Sequence, residues 1–215
     1  MVKVLVLLCG SGKDDGSEIH ESVLTLLAVD QAGANYDICA PDAPQFSVVN
    51  HLTGEEMSET RNMRVEAGRI ARGEVLALTD VDISNYDALL MPGGFGAAKN
   101  LCDFAVKSAD CDVRQDVKEL INAMHEAGKT IGAICIAPAV LAKVLGKGQL
   151  TIGTDTGVAS ALSQMGACHV DCAVGDIVVD DELNLVSTPA YMLGQSIKEV
   201  HEGINKLVVE VVRRS

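Results

Sequence analysis

The sequence predicts a single α/β domain built on a doubly wound, mostly parallel sheet. Short apolar runs alternate with helical patterns along the 215 residues, and no linker or internal repeat divides them. The first run, residues 2–9, is continuously apolar after Lys3, as expected for a strand buried on both faces. In a later run, residues 130–134 pass almost directly into a helical pattern through Cys135. Both observations favour parallel strands joined by crossover helices.

The N-terminal part is predicted to be a β-α-β unit. Strand 2–9 leads through a Gly-rich loop to a helix over residues 18–33. Residues 35–40 form a second strand, which ends at Pro41. The crossover between two such strands is right-handed, so we expect the strands to be parallel. The residues expected to form the buried stripe of this helix are Ile19, Val23, Leu26 and Leu27.

Residues 42–78 interrupt the alternation of strands and helices. An edge strand is predicted at 46–52 and a helix at 57–72, among many Arg and Glu residues. One interpretation is a solvated surface whose ion pairs contribute little each. The alternative is an insertion that forms the wall of a pocket or a subunit contact.

The remainder of the chain continues the alternation and is predicted to end in a hairpin and a helix. Residues 176–188 alternate around an acidic turn, which predicts a C-terminal β-hairpin. The other strands are expected at 86–91, 130–134 and 150–153, with an extended segment at 168–173. The helices are expected at 97–104, 112–128, 138–145, 157–165 and 194–213.

The composition excludes several classes of partner. The formal net charge is −13 and only 3% of residues are aromatic, so neither a nucleic acid nor an anionic membrane surface is an expected partner. No apolar run approaches the length of a membrane-spanning helix. The seven cysteines are odd in number and lack a C-x-x-C pair, which indicates reduced thiols. We therefore expect a cytoplasmic location.

The strongest candidate for a reactive side chain is Cys135. A strand that enters a helix through one residue is typical of a nucleophile elbow, which needs small residues such as Ala133 and Ala137 on either side. The following helix points its N-terminal dipole at the cysteine, which predicts a lowered thiol pKa. The alternative is a structural cysteine that packs as a small hydrophobic residue.

Other chemical groups are predicted to meet Cys135 at the carboxyl edge of the sheet, where doubly wound folds bind ligands. They are Glu21, one turn into its helix, and the Gly93-Gly94 turn after the strand at 86–91. The N–H groups of Gly94 and Ile136 are predicted to bind an oxyanion. Glu21 is predicted to act as an acid or base.

The remaining polar motifs give weaker signals. Gly10, Gly93 and His51 are candidates for the pocket wall, with His51 reaching it if residues 42–78 fold over the site. The other four histidines have no evident catalytic place. On a strand, Cys168 and Cys172 lie roughly 13 Å apart, too far for one zinc ion. We expect neither a metal nor a cofactor.

Two segments resemble the DJ-1/PfpI superfamily, which is related to class I glutamine amidotransferases: MPGGFGAAKNL at 91–101 and GAICIAPA at 132–139. The resemblance implies a flavodoxin-like three-layer α/β/α sandwich, usually dimeric, with Cys135 as nucleophile and Glu21 hydrogen-bonded to it. Further segments resemble the ElbB glyoxalase branch. They are GSEIHESVLTLLA at 16–28, NHLTGE at 50–55, TIGTDTG at 151–157 and TPAYM at 188–192.

The ElbB resemblance implies a glutathione-independent glyoxalase that converts glyoxal-type dicarbonyls to 2-hydroxy acids such as glycolate. It also implies a related deglycase activity and a link to isoprenoid biosynthesis. Ile136 replaces the histidine of peptidase-like members, no downstream His-x-Glu pair exists, and Thr154 and Asp155 occupy the place of a deglycase histidine. Peptidase and glutaminase chemistry are therefore disfavoured, and Glu21 becomes the main proton carrier. The alternative function is a non-enzymatic redox or stress sensor based on oxidation of Cys135.

Overall fold

The computed structural model describes residues 1–215 and contains nine strands and eight α-helices. The strands are β1 (Lys3–Leu7), β2 (Asn35–Ala40), β3 (Leu76–Ala77), β4 (Ala88–Met91), β5 (Thr130–Ile134), β6 (Gln149–Leu150), β7 (Cys168–His169), β8 (Val178–Asp180) and β9 (Leu185–Thr188). The helices are α1 (Ile19–Gln31), α2 (Met63–Ile70), α3 (Phe95–Lys99), α4 (Phe104–Lys107), α5 (Gln115–Glu126), α6 (Pro138–Leu145), α7 (Thr156–Gln164) and α8 (Ile197–Arg214).

Seven strands form the main sheet in the order β3-β2-β1-β4-β5-β9-β8. All neighbours are parallel except β8, which pairs antiparallel with β9 as the predicted hairpin. The flavodoxin-like fold with a mostly parallel sheet is confirmed. The predicted strand at 150–153 lies outside this sheet, because β6 pairs only with β7. The strand order reverses direction between β1 and β4, and ligands bind at such a switch point.

The core occupies both faces of the sheet, as the continuously apolar strands predict. Val4 and Val6 of β1 face a layer that includes α1 and α8, whereas Leu5 and Leu7 face a layer that includes α5, α6 and α7. Successive side chains of a strand point to opposite faces, so one strand supplies both layers. No helix in the chain has the length and apolar content that crossing a membrane requires.

The predicted buried stripe of α1 is wrong at three of its four positions, and only Leu26 packs against the core. The side chains of Ile19, Val23 and Leu27 are 44%, 48% and 42% exposed, and the helix instead buries a partly polar face that includes Ser22 and Thr25. The hydroxyls of Ser22 and Thr25 donate to backbone carbonyls one turn earlier, which satisfies them without water. This rotation of the helix turns an apolar stripe outward and carries Glu21 into the protein.

The segment 42–78 is less regular than predicted. No strand forms at 46–52, where Val49 makes only an isolated bridge to Glu56. The predicted helix is shortened to α2. Asn62 caps its N-terminus, where the side chain accepts hydrogen bonds from the N–H groups of Arg64 and Val65. The segment is held instead by the loop after β1, where Asp15 accepts a hydrogen bond from the N–H of Val49.

The helix predicted at 97–104 is divided into α3 and α4.

Candidate active site

Cys135 occupies a tight turn between β5 and α6. Its φ of 62° lies in the left-handed region, which is rare for a residue other than glycine and costs on the order of 1–3 kcal/mol. The turn is fixed on both sides: the N–H of Cys135 donates to the Thr188 carbonyl at 2.9 Å, and that of Ala137 donates to Ile134 at 3.0 Å. Pro138 begins α6, where its missing N–H leaves no bond unmade. The strained backbone therefore holds the thiol at the carboxyl end of the sheet.

Glu21 lies fully buried beside this thiol. Its Oε2 accepts a hydrogen bond from the N–H of Gly93 at 2.9 Å, and its Oε1 accepts one from the N–H of Tyr191 at 3.2 Å. The carboxyl group also lies beside the Cys135 side chain, and each of the two groups affects the pKa of the other. Glu18 caps the start of α1, where its Oε2 accepts from the backbone N–H of Glu21 at 2.7 Å. Three elements distant in sequence thus fix the position of one carboxyl group.

Gly93 brings the two side chains together because it has no side chain of its own. A Cβ atom at Gly93 would lie 2.5 Å from Cys135 Cβ, 2.9 Å from Glu21 Oε2 and 3.0 Å from Cys135 Sγ. Real Cβ atoms do not approach neighbours so closely, so any larger residue must displace the cysteine or the glutamate. The next residue, Gly94, has a φ of 96° and begins α3.

The electrostatics of Cys135 differ from the prediction of a standing thiolate. Backbone N–H groups of Gly94 and Ile136 contact the sulfur and lower the thiol pKa. Burial and the nearby carboxylate of Glu21 act in the opposite direction and outweigh them, so the pKa of Cys135 is raised well above its ordinary value. The predicted lowering of the thiol pKa is therefore wrong. The helix dipole favours the thiolate, but the cost of burying a charged sulfur is larger.

The electrostatics of Glu21 suit proton transfer. Burial and the neighbouring charge of Glu18 raise the pKa of Glu21 to about 7, although hydrogen bonds to its carboxylate limit the rise. A carboxyl group with a pKa close to neutral exchanges protons readily in both directions. At neutral pH the ionised carboxylate can therefore receive the proton of the adjacent Cys135 thiol.

A cavity of about 650 Å³ reaches Cys135, a size common for small-molecule sites. The side chain of Cys135 is itself only 7% exposed and lies at the inner end. The larger apolar lining residues are Phe95, Phe104, Ile136, Val158 and Met192. The polar and charged lining residues are Lys13, Asp14, Glu18, His20 and Tyr191. The sequence did not indicate most of this lining.

His20 and Tyr191 are the most informative of the missed residues. The Nδ1 atom of His20 lies 2.8 Å from the Tyr191 hydroxyl, and both side chains line the cavity. Tyr191 lies in a 3-10 turn, Ala190–Met192, directly after β9. Consecutive helical residues point about 100° apart, so the sequence did not predict that His20 and Glu21 would share a site. Because the N-terminus of α1 borders the cavity, however, the side chains of His20 and Glu21 can both reach this region from its first turn. For Tyr191, the signal in the sequence was the TPAYM segment at 188–192.

Three predicted pocket residues, Gly10, His51 and Gly93, do not line this cavity, although Gly93 lies against Cys135 and Glu21. His51 lies in a neighbouring cavity, where its Nδ1 donates to the Val49 carbonyl and its Nε2 accepts from the N–H of Asp14. Gly10 packs against Gly16 and against Gln45, whose Oε1 would lie 2.8 Å from an added Cβ atom. The segment 42–78 thus borders the loop after β1 without covering the thiol.

The residues that we examined as metal ligands do not form a cluster. In residues 1–215, no group of three or more His, Cys, Asp or Glu side chains has an arrangement that could hold a metal ion. His169 instead accepts a hydrogen bond from the N–H of Ile152 at 3.4 Å. Cys168 is exposed.

The model of the DJ-1/PfpI family matches residues 2–193. The chain belongs to the DJ-1/PfpI family. It is 40% identical over 98% of its length to the human "glutamine amidotransferase-like class 1 domain-containing protein 3, mitochondrial", covering 82% of that protein. It is 39% identical to the rat "ES1 protein homolog, mitochondrial", with 98% and 83% of the two chains covered.

A solved structure extends the likeness to three dimensions. The crystal structure described as an isoprenoid biosynthesis protein with an amidotransferase-like domain, from Ehrlichia chaffeensis, superposes with a TM-score of 0.94. The two sequences are 35% identical, and the match covers 100% of this chain and 99% of the Ehrlichia chain. None of these three relatives carries a glyoxalase name, so the specific reaction is a matter for experiment.

The relatives correct the predicted location. The cytoplasmic prediction is contradicted by the human and rat relatives, whose names both place them in mitochondria. The physical reason is that free thiols report a reducing environment and do not identify the compartment that provides it.

Proposed function

We propose that this DJ-1/PfpI-family protein is a glutathione-independent glyoxalase of the ElbB type, which converts glyoxal-type dicarbonyls to 2-hydroxy acids such as glycolate. The observation that supports it best is that Cys135 and Glu21 lie side by side against Gly93, where Cys135 lines a substrate-sized cavity. The thiol supplies the nucleophile, and the carboxyl group supplies a base of suitable pKa. No cofactor takes part in this proposal.

The first step is attack of Cys135 Sγ on an aldehyde carbon. As the carbon–sulfur bond forms, the thiol proton passes to the Glu21 carboxylate. The carbonyl oxygen becomes an oxyanion between the N–H groups of Gly94 and Ile136, which already contact the sulfur. Glu21 then returns this proton to the oxyanion, which gives a hemithioacetal on Cys135 and leaves the carboxylate ionised for the next step. Because Glu21 acts as the base, a standing thiolate is not required.

The second step moves a proton between the two carbons of the bound dicarbonyl. Glu21 removes the proton from the carbon bonded to sulfur, giving an enediol, and the neighbouring carbon is then protonated. The His20–Tyr191 pair lines the same cavity and can protonate that more distant carbon. The resulting thioester of Cys135 reacts with water to release glycolate and restore the thiol. The overall balance is one dicarbonyl plus one water to one hydroxy acid.

The test is glyoxal turnover by Cys135→Ser and Glu21→Gln. Each substitution removes one partner of the pair, so we expect at least about a 100-fold loss of kcat/KM. Cys168→Ser changes an exposed free thiol outside the cavity and serves as the matched control. Wild-type rates in both site variants would contradict the proposal.

The redox-sensor alternative receives less support from the electrostatics. Sensor cysteines are accessible and have a low pKa, because the thiolate reacts with peroxide. Cys135 is buried and its pKa is raised. Selective oxidation of Cys135 by mild peroxide, with negligible dicarbonyl turnover, would reverse this preference.

Deglycase activity would use the same Cys135–Glu21 pair. The description of the Ehrlichia relative supports a physiological role connected with isoprenoid biosynthesis.

We further propose that the protein acts as a homodimer. The exposed stripe of α1, formed by Ile19, Val23 and Leu27, is the regular apolar surface that supports this proposal. A two-fold axis is the commonest symmetry of soluble oligomers and would place the same stripe of both copies together. The stripe flanks Glu21 on its helix, so the contact would also hold α1 in position.

A further inference from the structure

The cavity above Cys135 is much larger than glyoxal. Glyoxal contains two carbons and two oxygens, which occupy roughly 120 Å³ if each takes the volume of about 30 Å³ of a water molecule. The cavity encloses about 650 Å³. Glyoxal bound to Cys135 Sγ would therefore leave most of the cavity to water. A site of this size normally buries a larger molecule.

The lining of the unfilled space is mainly apolar. Nine of the 14 lining residues are hydrophobic, and most of the exposed lining surface is carbon. Phe95 is 53% exposed, and its side chain forms part of this lining, with Lys99 Nζ 5.2 Å from the ring centroid. Ile136 and Val158 are partly buried and complete the apolar wall. Water against such a wall is readily displaced by an apolar group.

Two of the five polar or charged lining residues offer hydrogen-bonding groups for the oxygens of a substrate. His20 and Tyr191 form a hydrogen-bonded pair, and the backbone of Tyr191 donates to Glu21. The oxygens of a dicarbonyl held on Cys135 would be placed near these groups and the N–H groups of Gly94 and Ile136. A substituent on the second carbonyl carbon would then extend toward the apolar wall.

We propose that the substrate is a 2-oxoaldehyde whose ketone carbon carries a bulky apolar substituent, of the size of a phenyl ring or a branched alkyl chain. This inference rests on the proposed glyoxalase function and names its substrate class. The aldehyde carbon bonds to Cys135, and the ketone carbon receives the transferred proton. With one water, the 2-oxoaldehyde becomes a 2-hydroxy acid that bears the same substituent. Phenylglyoxal and its product mandelate are suitable probes.

The kinetic experiment compares kcat/KM for phenylglyoxal and glyoxal in the wild type. Even a single methylene in an apolar pocket changes this ratio by about 10-fold or more, so we expect phenylglyoxal to be preferred by at least about 10-fold. Phe95→Asp places a charge in the apolar wall and should bring the preference close to one. Aspartate suits the first turn of a helix, so folding should tolerate the change. Phe46→Asp, at an equally exposed phenylalanine outside this cavity, should leave the preference unchanged.

A binding experiment keeps the substrate class testable when turnover is slow. Calorimetric titration of the wild type with mandelate and with glycolate should show at least about 10-fold tighter binding of mandelate. Equal or weaker binding of mandelate, a preference for glyoxal, or a preference that survives in Phe95→Asp would overturn the inference. Failure of the proposed function is distinct. It would appear as dicarbonyl turnover that does not depend on Cys135 or Glu21, whatever the preference between substrates.

Discussion

The thiol of Cys135 and the carboxyl group of Glu21 lie against the same residue, Gly93, where an added Cβ atom would come 3.0 Å from Cys135 Sγ and 2.9 Å from Glu21 Oε2. The two side chains lie 114 positions apart in the sequence but at neighbouring points of the sheet edge. Glu21 raises the pKa of the Cys135 thiol, whereas Cys135 acts to lower the pKa of Glu21, so the two groups titrate as a coupled pair. The consequences of this contact can be measured in rates, stability and covalent chemistry.

The pH dependence of kcat/KM should follow Glu21. The base must be ionised to receive the thiol proton, and its pKa is raised to about 7. We therefore expect kcat/KM for a dicarbonyl to rise roughly 10-fold per pH unit below this pKa and to level off above it. Steady-state rates between pH 5 and pH 9 provide the measurement. A rate that falls over the same range would show that the protonated carboxyl group is the active form.

The pH dependence of stability should also report Glu21. Its pKa in the folded state, about 7, lies above the ordinary value of 4.5, so the folded protein binds the proton more tightly than the unfolded chain does. The resulting stabilisation is complete below pH 4.5 and is lost as the pH rises through 7.

The stability effect can be isolated with Glu21→Gln, which does not titrate. The free energy of unfolding of the wild type relative to this variant should fall by up to about 3 kcal/mol between pH 4.5 and pH 8, given about 1.4 kcal/mol per pKa unit. Urea unfolding at several pH values gives the difference. A difference that is constant or increases with pH would contradict the raised pKa.

Gly93 should not tolerate alanine. The added Cβ would meet Cys135 Cβ and Glu21 Oε2, and moving either atom by about 1 Å costs on the order of 100-fold in rate. We expect Gly93→Ala to lose at least that much kcat/KM while remaining folded by circular dichroism. Gly68→Ala is the matched control, because its Cβ would meet only Gly73 Cα at 3.9 Å. Wild-type activity in Gly93→Ala would mean that the close contact is not needed.

The exposed stripe of α1 should control assembly. Val23→Asp puts a charge in its centre, so we expect the wild type to sediment as a dimer and this variant as a monomer. Val65→Asp is the control: Val65 is 67% exposed on α2, outside the stripe. A monomeric wild type, or a variant that remains dimeric, would show that another surface or no surface mediates assembly.

The strands that lead to the site could be predicted because they are buried on both faces. β1, β4 and β5 appear as mainly apolar runs. β2 is partly polar, but it has the predicted bounds at 35–40. Cys135 could be identified because a strand that enters a helix through one residue is a local pattern. Small residues at Ala133 and Ala137 belong to the same pattern.

The missed features depend on contacts between distant residues. α1 buries Glu21, Ser22 and Thr25, and apolar spacing cannot predict this, because the polar groups are satisfied only by specific backbone partners. The contact of His20 with Tyr191 spans 171 positions and leaves no periodic signal. Burial of the thiol, which decides the direction of its pKa shift, is likewise a property of the assembled layers.

The most direct measurement of the central claim is to trap the adduct on Cys135. Wild-type protein is mixed with glyoxal, quenched with acid, in which the Cys135 thioester persists, and mapped by peptide mass spectrometry at low pH. We predict one modification, on Cys135, that is absent from Cys135→Ser and slower to form in Glu21→Gln. Cys168 is exposed and serves as the internal control for unassisted thiol reactivity. Labelling of Cys168 with none on Cys135, while glycolate accumulates, would contradict the assignment of Cys135 as the nucleophile.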